Sequence, residues 1–256
     1  MDINFSHFNI IDAHMHCGIQ YADLGFNRVM PLLKRAGIDA AAMFPPVEEI
    51  YDRYNPHFQD VPEWMQKRQK ANRYLLGLRK QGKPVFPYYF VWNDFLVSEL
   101  DESYFGIKWH RHPDEPKYNY DDPACKRFVD RIIERKLPIV LEESFENTLF
   151  FVKEIAPETT IIIPHLGALN GSFEALGKEG IWKLPNIYTD TAVADRKTIM
   201  CYIETYGIER ILFGSDFPFG YPDSELEKIL TIGLSEEEKA RILGDNLKEI
   251  FTHIQF

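Results

Sequence analysis

The chain has 256 residues, 45% of them hydrophobic and 27% charged, which is the composition of a globular protein large enough for one α/β barrel. A net charge of −10, without any basic run of five residues, argues against a nucleic-acid partner. Three scattered cysteines argue against a disulfide framework and a thiolate zinc site, and no apolar run reaches the ~18 residues of a membrane span. We therefore expect a cytoplasmic protein that does not contact membranes. Monomer and homo-oligomer are not distinguished.

Short apolar runs alternate with amphipathic segments along the chain. The predicted strands are Phe8–Ala13, Ala40–Phe44, Val85–Trp92, Phe105–Trp109, Pro138–Leu141, Thr160–Pro164, Ile187–Thr189 and Arg210–Phe213. The predicted helices are Arg28–Ala36, Glu63–Lys80, Pro123–Lys136, Glu146–Ile155, Arg196–Tyr206 and Glu236–Phe251. Strands that alternate with helices pair in parallel through right-handed crossovers. Eight such units predict one α/β domain over residues 1–256, a (β/α)8 TIM barrel, with an open doubly wound sheet as the alternative.

Three long aromatic loops follow predicted strands, at 45–62, 93–104 and 110–123. In a barrel, loops that follow strands lie at the carboxyl end, where active sites form.

The first chemical motif is a pair of histidines, His14 and His16, at the end of the first apolar run. Because alternate side chains of a strand share a face, both imidazoles would point the same way, and neutral imidazole is a common metal ligand. Asp12 has the same parity and could accept a hydrogen bond from a histidine N–H, or it could cap the turn. Two histidines that are merely hydrogen-bonded within a strand are the simpler interpretation of this motif alone.

Two further strand ends carry metal-competent groups. The run at 160–164 delivers His165, and the run at 211–213 delivers Asp216. Singly, such a histidine is more often structural and such an aspartate more often caps a turn. Three strand ends that each present a possible ligand favour a metal site at the mouth of the barrel.

The ordered set of motifs resembles the amidohydrolase superfamily, and within it the amidohydrolase-2 branch of TIM-barrel hydrolases and decarboxylases. The similar segments are IDAHMH (11–16), FGIKWH (105–110), PHLG (164–167), NIYTD (186–190), LFGSDFP (212–218) and LGDN (243–246) followed by Ile250-Phe251. The resemblance extends from about residue 8 to about residue 251, with matching order and spacing.

The resemblance implies roles for individual residues. His14 and His16 would be metal ligands of strand one. His165 would be a ligand or a group that polarises the substrate, and Asp216 would bind metal and transfer a proton. One position departs from the pattern, because the branch usually ends strand five with a histidine where this chain has Glu142. A carboxylate can replace that ligand, and we expect Glu142 rather than Glu143 to face the barrel interior.

Charged residues near strand four are candidate substrate contacts. Lys108 is expected to bind a substrate anion or form a salt bridge, although the resemblance also raises a carboxylated, metal-bridging lysine. His110 is expected to contact substrate, and Arg111 is a further candidate, although Arg111 and His112 are more often solvated loop residues. Cys17 has the opposite parity to the histidines and is expected to be a buried small residue.

The predicted function is metal-dependent hydrolysis of a C–N amide or carboxylic ester bond in a small molecule. About one divalent ion per chain, zinc first and manganese second, would activate water. Asp216 would transfer the proton, and His165 would stabilise the oxyanion. The alternative is non-oxidative decarboxylation of a small aromatic acid at the same site.

Two other classes remain open on the sequence alone. A barrel without metal that only binds a ligand is supported by the missing strand-five histidine. A glycosidase with paired carboxylates, such as Glu142 and Asp216, would leave His14 and His16 without a role.

Overall fold

Eight parallel strands form one sheet whose spatial order is the order of the chain, β1 to β8. The computed structural model describes residues 8–19, 24–55 and 57–255. The strands are β1 Ile11–His16, β2 Ala40–Phe44, β3 Val85–Phe90, β4 Gly106–His110, β5 Ile139–Glu142, β6 Ile161–Ile163, β7 Ile187–Asp190 and β8 Ile211–Leu212. This arrangement confirms the predicted single-domain (β/α)8 barrel and excludes the open sheet. The first strand begins and ends three residues later than predicted, so that both histidines lie within it.

The sheet is nearly closed because the residues after β8 return to β1. The amide of Ala13 donates to the carbonyl of Phe213 across 2.8 Å, and the amide of Asp216 donates to the carbonyl of His14 across 2.7 Å. The segment after the last strand is therefore held against the histidine motif of the first.

Helices cover the outside of the sheet. They are α1 Phe26–Ala36, α2 Pro62–Lys80, α3 Pro123–Arg135, α4 Phe145–Phe150, α5 Phe173–Lys178, α6 Arg196–Tyr206, α7 Pro222–Leu230, α8 Glu236–Ala240 and α9 Asn246–Thr252. The sequence did not predict α5 and α7. The helix predicted at Glu146–Ile155 ends in a π-helical turn, Phe151–Ile155, which follows α4. The helix predicted at Glu236–Phe251 is interrupted by a second π-helical turn, Arg241–Asp245, between α8 and α9. None of the described helices is long and apolar enough to cross a bilayer.

Local signals set several helix ends. The side chain of Asp122 accepts from the amide of Ala124 in front of α3. Ser235 and Glu238 form a reciprocal capping box at the start of α8. Gly37 ends α1 at a φ of 75°, a left-handed conformation that glycine adopts without a steric penalty. These local features explain why the end of α1 and the starts of α3 and α8 could be predicted from the sequence.

The apolar core has two parts, which follow the alternation of strand side chains. In β2, Ala41 and Met43 pack in the larger cluster with the helices, whereas Ala42 and Phe44 pack in a smaller cluster formed mainly by strand residues. Cys17 is buried in the larger cluster, as expected from its parity. The smaller cluster lies among the strands, and Phe44 forms edge contacts with the rings of both His14 and His16.

Candidate metal centre

Three predicted ligands meet where β1 approaches the segment after β8. Nε2 of His14 and Nε2 of His16 each lie 3.3 Å from Oδ1 of Asp216. All three residues are buried. Tetrahedral zinc with bonds of about 2.0–2.1 Å places neighbouring ligand atoms roughly 3.3–3.4 Å apart. Two imidazole nitrogens and one carboxylate oxygen therefore fit a divalent ion in both chemistry and spacing.

The histidines are held with their Nε2 atoms toward this centre. Nδ1 of His14 lies 2.8 Å from Oδ2 of Asp190, and Nδ1 of His16 lies 3.3 Å from the carbonyl oxygen of Pro45. An acceptor at Nδ1 keeps the proton there and leaves the Nε2 lone pair free for a metal. Asp190, at the end of β7, was not predicted to have a role. Its position at a strand end, like that of His165 and Asp216, could have marked it as a candidate site residue.

The electrostatics favour ligand states ready for a metal. Burial, together with the positive charge of Lys108, lowers the pKa of His14 to about 4, so its ring is neutral at pH 7. Burial opposes the ionisation of Asp216, but His14 and His16 hold the pKa of that carboxyl below its ordinary value. The centre therefore combines neutral His14 with a carboxylate at Asp216.

The backbone is strained where two of the key residues lie. Asp216 has a φ of 51° and His165 has a φ of 57°. Residues other than glycine rarely adopt positive φ, and such conformations persist only where the surroundings enforce them. The amide of Asp216 is tied to His14, and the amide of His165 donates to Oδ1 of Asp190 across 3.0 Å.

His165 lies beside His14, with their ring centroids 4.9 Å apart, and it faces the second carboxylate oxygen of Asp216. Its Nε2 is 3.7 Å from Oδ2 of Asp216 and 3.6 Å from Oε2 of Glu142. Burial lowers the pKa of His165, but the hydrogen bond to Glu142 and the charge of Asp190 outweigh it and raise the pKa to about 9. An imidazolium at this place can donate a proton or stabilise negative charge.

Glu142 faces the barrel interior and Glu143 does not. The ligand atoms of Glu142, His14 and His165 lie within 4.8 Å of one another, in a group that overlaps the one formed by His14, His16 and Asp216. Glu143 accepts from the guanidinium of Arg111 across 2.8 Å, on the other side of the strand. Burial opposes ionisation of Glu142, yet His110 and Lys108 hold its pKa well below the usual range.

Lys108 is fully buried between the proposed ligands. Its Nζ lies 3.4 Å from both Oε2 of Glu142 and Nε2 of His14, and 4.5 Å from the centre of the Phe44 ring. Of the three roles raised for Lys108, the structure contains the salt bridge, with Glu142.

A cavity of about 190 Å³ lies over the centre, and a second of about 250 Å³ adjoins it. Both are lined by His16, Val47, Arg53 and Phe219. The smaller is also lined by His110, His112, Glu142, Leu169, Val193 and Asp216. The loops predicted at 45–62 and 110–123 contribute to this lining. His110 therefore lies where a substrate contact was expected, whereas Lys108 and Arg111 do not line either cavity.

Arg111 is placed differently from the expectation that it binds substrate. It is buried, and its guanidinium bonds to Glu143 and to the carbonyls of Pro113, Glu115 and Pro116. Strand alternation directs Arg111 away from the interior, because its neighbour His110 points inward. With its donors engaged by protein acceptors, Arg111 organises the loop after β4.

Two cavity residues were missed by the sequence analysis. His112, treated there as a solvated loop residue, has its Nε2 2.7 Å from Oε1 of Glu142. Arg53 bonds to Glu115 through Nε at 2.6 Å and has its Nη2 3.0 Å from Nδ1 of His112. No local pattern marked Arg53. Its place depends on contacts between two loops about 60 residues apart in the chain.

Solved structures with the same fold cover nearly the whole chain at low identity. A 2,6-dihydroxybenzoate decarboxylase in complex with 2,6-dihydroxybenzoate is 15% identical with a TM-score of 0.73, covering 96% of this chain and 99% of that one. A Pseudomonas putida protein described as a candidate 2-pyrone-4,6-dicarboxylic acid hydrolase is 18% identical with a TM-score of 0.71, covering 98% and 100%. A Polaromonas dihydroxybenzoic acid decarboxylase with bound manganese and 2-nitroresorcinol is 14% identical with a TM-score of 0.69, covering 96% and 97%.

At the level of sequence, no curated protein matches the chain. The family model described as amidohydrolase, Amidohydro_2, matches residues 11–251, which include every residue of the centre described above. The chain therefore belongs to the amidohydrolase family, amidohydrolase-2 branch.

Proposed function

We propose that this protein is a metal-dependent hydrolase that cleaves a C–N amide or carboxylic ester bond of a small molecule. The observation that carries the proposal is the buried triplet of His14, His16 and Asp216, placed beside His165 under a small cavity. The lining of this cavity includes charged and polar groups, which suits a polar or anionic substrate.

The donor set proposed for the metal is His14, His16, Asp216 and Glu142. When bound, a divalent ion supplies Lewis acidity, which polarises a substrate oxygen and lowers the pKa of a coordinated water toward about 7. About one ion per chain is proposed at this centre, zinc first and manganese second, since imidazole and carboxylate serve both. A second carboxylate in the set reduces the Lewis acidity of the ion and makes manganese more favourable.

Asp216 is the proposed proton acceptor and donor. Its carboxylate lines the cavity and is ionised at pH 7, so Oδ2 has a lone pair that can accept a proton from the attacking water. The carboxylic acid that results can then deliver this proton to the leaving nitrogen or oxygen. His14 and His16 lie on the Oδ1 side, so the two oxygens have separate tasks.

His165 is the proposed oxyanion-stabilising group. Its Nε2 lies within 4 Å of both Asp216 and Glu142, so its positive charge faces the place where the carbonyl oxygen would become negative. Its Nδ1 is 3.1 Å from the carbonyl oxygen of Ala192, which fixes the ring orientation. The ring therefore needs no reorganisation as charge develops.

Decarboxylation of a small aromatic acid is the second candidate. It is favoured by the lining of the cavity, in which Arg53 and His110 accompany the ring of Phe219. In that reaction the bond between the ring carbon and the carboxylate breaks, carbon dioxide leaves, and a protonated Asp216 or His165 returns a proton to the carbon. Two of the structures with the same fold are named as decarboxylases of dihydroxybenzoic acids.

The test combines metal analysis with a substrate panel. Purified protein would be analysed for metal, and the zinc and manganese forms would be assayed with amides, esters, lactones and hydroxybenzoic acids. Hydrolysis in ¹⁸O-labelled water places one label in the product acid, whereas decarboxylation releases carbon dioxide and takes a solvent proton at carbon. Protein that retains no divalent metal after growth with both ions would contradict either reaction at this centre.

A further inference from the structure

The two carboxylate oxygens of Glu142 face two different groups of ligands. Oε2 lies toward the centre described above, 3.6 Å from Nε2 of His165. Oε1 lies 3.0 Å from Nε2 of His110 and 2.7 Å from Nε2 of His112. The ligand atoms of His110, His112 and Glu142 all lie within 4.8 Å of one another. We call these three residues the outer cluster.

A second carboxylate lies behind both imidazoles of the outer cluster. Oε1 of Glu115 is 3.5 Å from Nδ1 of His112, and Oε2 of Glu115 is 4.0 Å from Nδ1 of His110. Within the described part of the chain, the buried Nδ1 of His110 has no hydrogen-bond partner. Both Nε2 atoms face the same carboxylate oxygen, Oε1 of Glu142, and histidines that bind metals commonly have a carboxylate on their Nδ1 side.

We propose that the outer cluster is a second divalent-cation site, in which Glu142 bridges the outer ion and the centre formed by His14, His16 and Asp216. The inference goes beyond the proposed function, and Glu142 is the only proposed metal ligand that the two sites share. Two imidazole nitrogens and one carboxylate oxygen suit zinc or manganese better than calcium or magnesium, which prefer oxygen ligands. His112 is about one third exposed and lines the cavity, so an ion can reach the cluster from solvent.

The difference between histidine and glutamate at the end of β5 has a physical meaning here. A histidine whose Nδ1 bonds to the protein offers one nitrogen to one ion. A glutamate offers two oxygens that can bind separate ions. Glu142 therefore extends the donor set of the first centre toward His110 and His112 on the loop side.

The positive charges of neighbouring side chains make the second ion bind more weakly than the first. Nη2 of Arg53 lies 3.0 Å from Nδ1 of His112, which must carry a proton when Nε2 binds a metal. For a metal to bind, the Arg53 guanidinium must therefore give up its hydrogen bond to Nδ1 of His112. The proton on Nδ1 can then point toward the carboxylate of Glu115. Lys108 also lies beside Glu142, at 3.4 Å. The outer ion is accordingly the second to bind and the first to be lost on dialysis.

The experiment is a zinc titration of metal-free protein, with bound metal measured after equilibrium dialysis. Wild type is expected to bind two equivalents, the second more weakly. His112→Gln should lose only the weaker one, and the control His253→Gln, at an exposed histidine after α9, should keep both. His16→Ala should weaken the tighter one and leave the outer ion. A single equivalent at saturating zinc, or a second that persists in His112→Gln, would overturn the proposal.

A second measurement separates a metal site from a network that is only hydrogen-bonded. Arg53→Gln removes the competing donor and a positive charge, so the weaker zinc equivalent should bind more tightly than in wild type. Manganese-loaded wild type should give the electron paramagnetic resonance spectrum of a coupled ion pair, and His112→Gln that of an isolated ion. Unchanged zinc affinity in Arg53→Gln, together with uncoupled manganese in wild type, would refute the bridging role of Glu142.

Discussion

His14 on β1 and Asp190 on β7 are joined by a buried hydrogen bond of 2.8 Å between Nδ1 and Oδ2. Asp190→Asn would place an amide at this position, and its NH₂ group can donate to Nδ1. The His14 proton would then move to Nε2 and block the metal lone pair. We expect metal affinity to fall about 10–100-fold, as for other partners of ligand histidines. Competition with a zinc-binding dye measures it, and unaltered affinity would exclude a role for Asp190 in orienting His14.

Asp216→Asn keeps the shape of the side chain and removes its ability to accept a proton. Because a positioned acid–base group contributes roughly 10²–10⁴-fold, turnover should fall by about that factor on a verified substrate. Metal should be partly retained through His14 and His16. Steady-state kinetics of the fully loaded protein provides the measurement, and wild-type turnover would assign proton transfer to another group.

Glu142→Ala tests the carboxylate that replaces the usual strand-five histidine. It removes the proposed oxygen ligand and leaves Lys108 without its ion-pair partner, so affinity for the tightly bound ion should fall roughly ten-fold or more. Isothermal titration with zinc measures the change. A crystal structure of the metal-loaded wild type, with this carboxylate more than about 4 Å from the ion and no bridging water, would rule out direct ligation.

Glu143→Gln tests the neighbouring carboxylate, which we expect to matter for stability and not for metal. The variant leaves the buried Arg111 guanidinium without its charged partner, and breaking a buried ion pair costs about 3–5 kcal/mol. The cost should lie at the lower end, because Arg111 keeps its carbonyl acceptors. Denaturant unfolding gives the free-energy change, and the zinc titration should match that of wild type.

The free energy of unfolding should depend on pH through the carboxyl group of Glu115. Burial opposes its ionisation, but the His110 ring and the Tyr51 hydroxyl, which donates across 2.6 Å, hold its pKa below the ordinary 4.5. A carboxyl whose pKa is lower in the folded state stabilises the fold above its unfolded pKa, and loses this contribution as pH falls through the folded value. Glu115→Gln should therefore reduce the unfolding free energy at pH 7, and the difference from wild type should shrink below about pH 4.5. A difference independent of pH would exclude this linkage.

The sequence was informative wherever a local pattern determined a position. Strand alternation placed His14 and His16 on one face and separated Glu142 from Glu143. The same alternation, applied past His110, directs Arg111 away from the barrel interior, where its guanidinium bonds to Glu143 and to loop carbonyls. Treating the three basic residues as one cluster did not separate these two directions.

Other site features depend on contacts that no local pattern encodes. Arg53 reaches the cavity because the loop after β2 packs against the loop after β4. There the carboxylate of Glu115 accepts a hydrogen bond from the Arg53 guanidinium. Asp190 pairs with a histidine 176 residues earlier in the chain. Such partners follow from barrel closure, and a search along the sequence for fixed spacings cannot reveal them.

Barrel closure also has a consequence for the folding of the metal site. His14 lies in the first strand and Asp216 follows the last, and the hydrogen bond between their backbones is part of the seam that joins the two ends of the sheet. An intermediate that lacks either edge of the sheet would not contain the complete ligand set. An ion held by the proposed ligand set would therefore bind selectively to the native state and raise its stability by mass action, so that depletion of metal would also lower the population of folded chains.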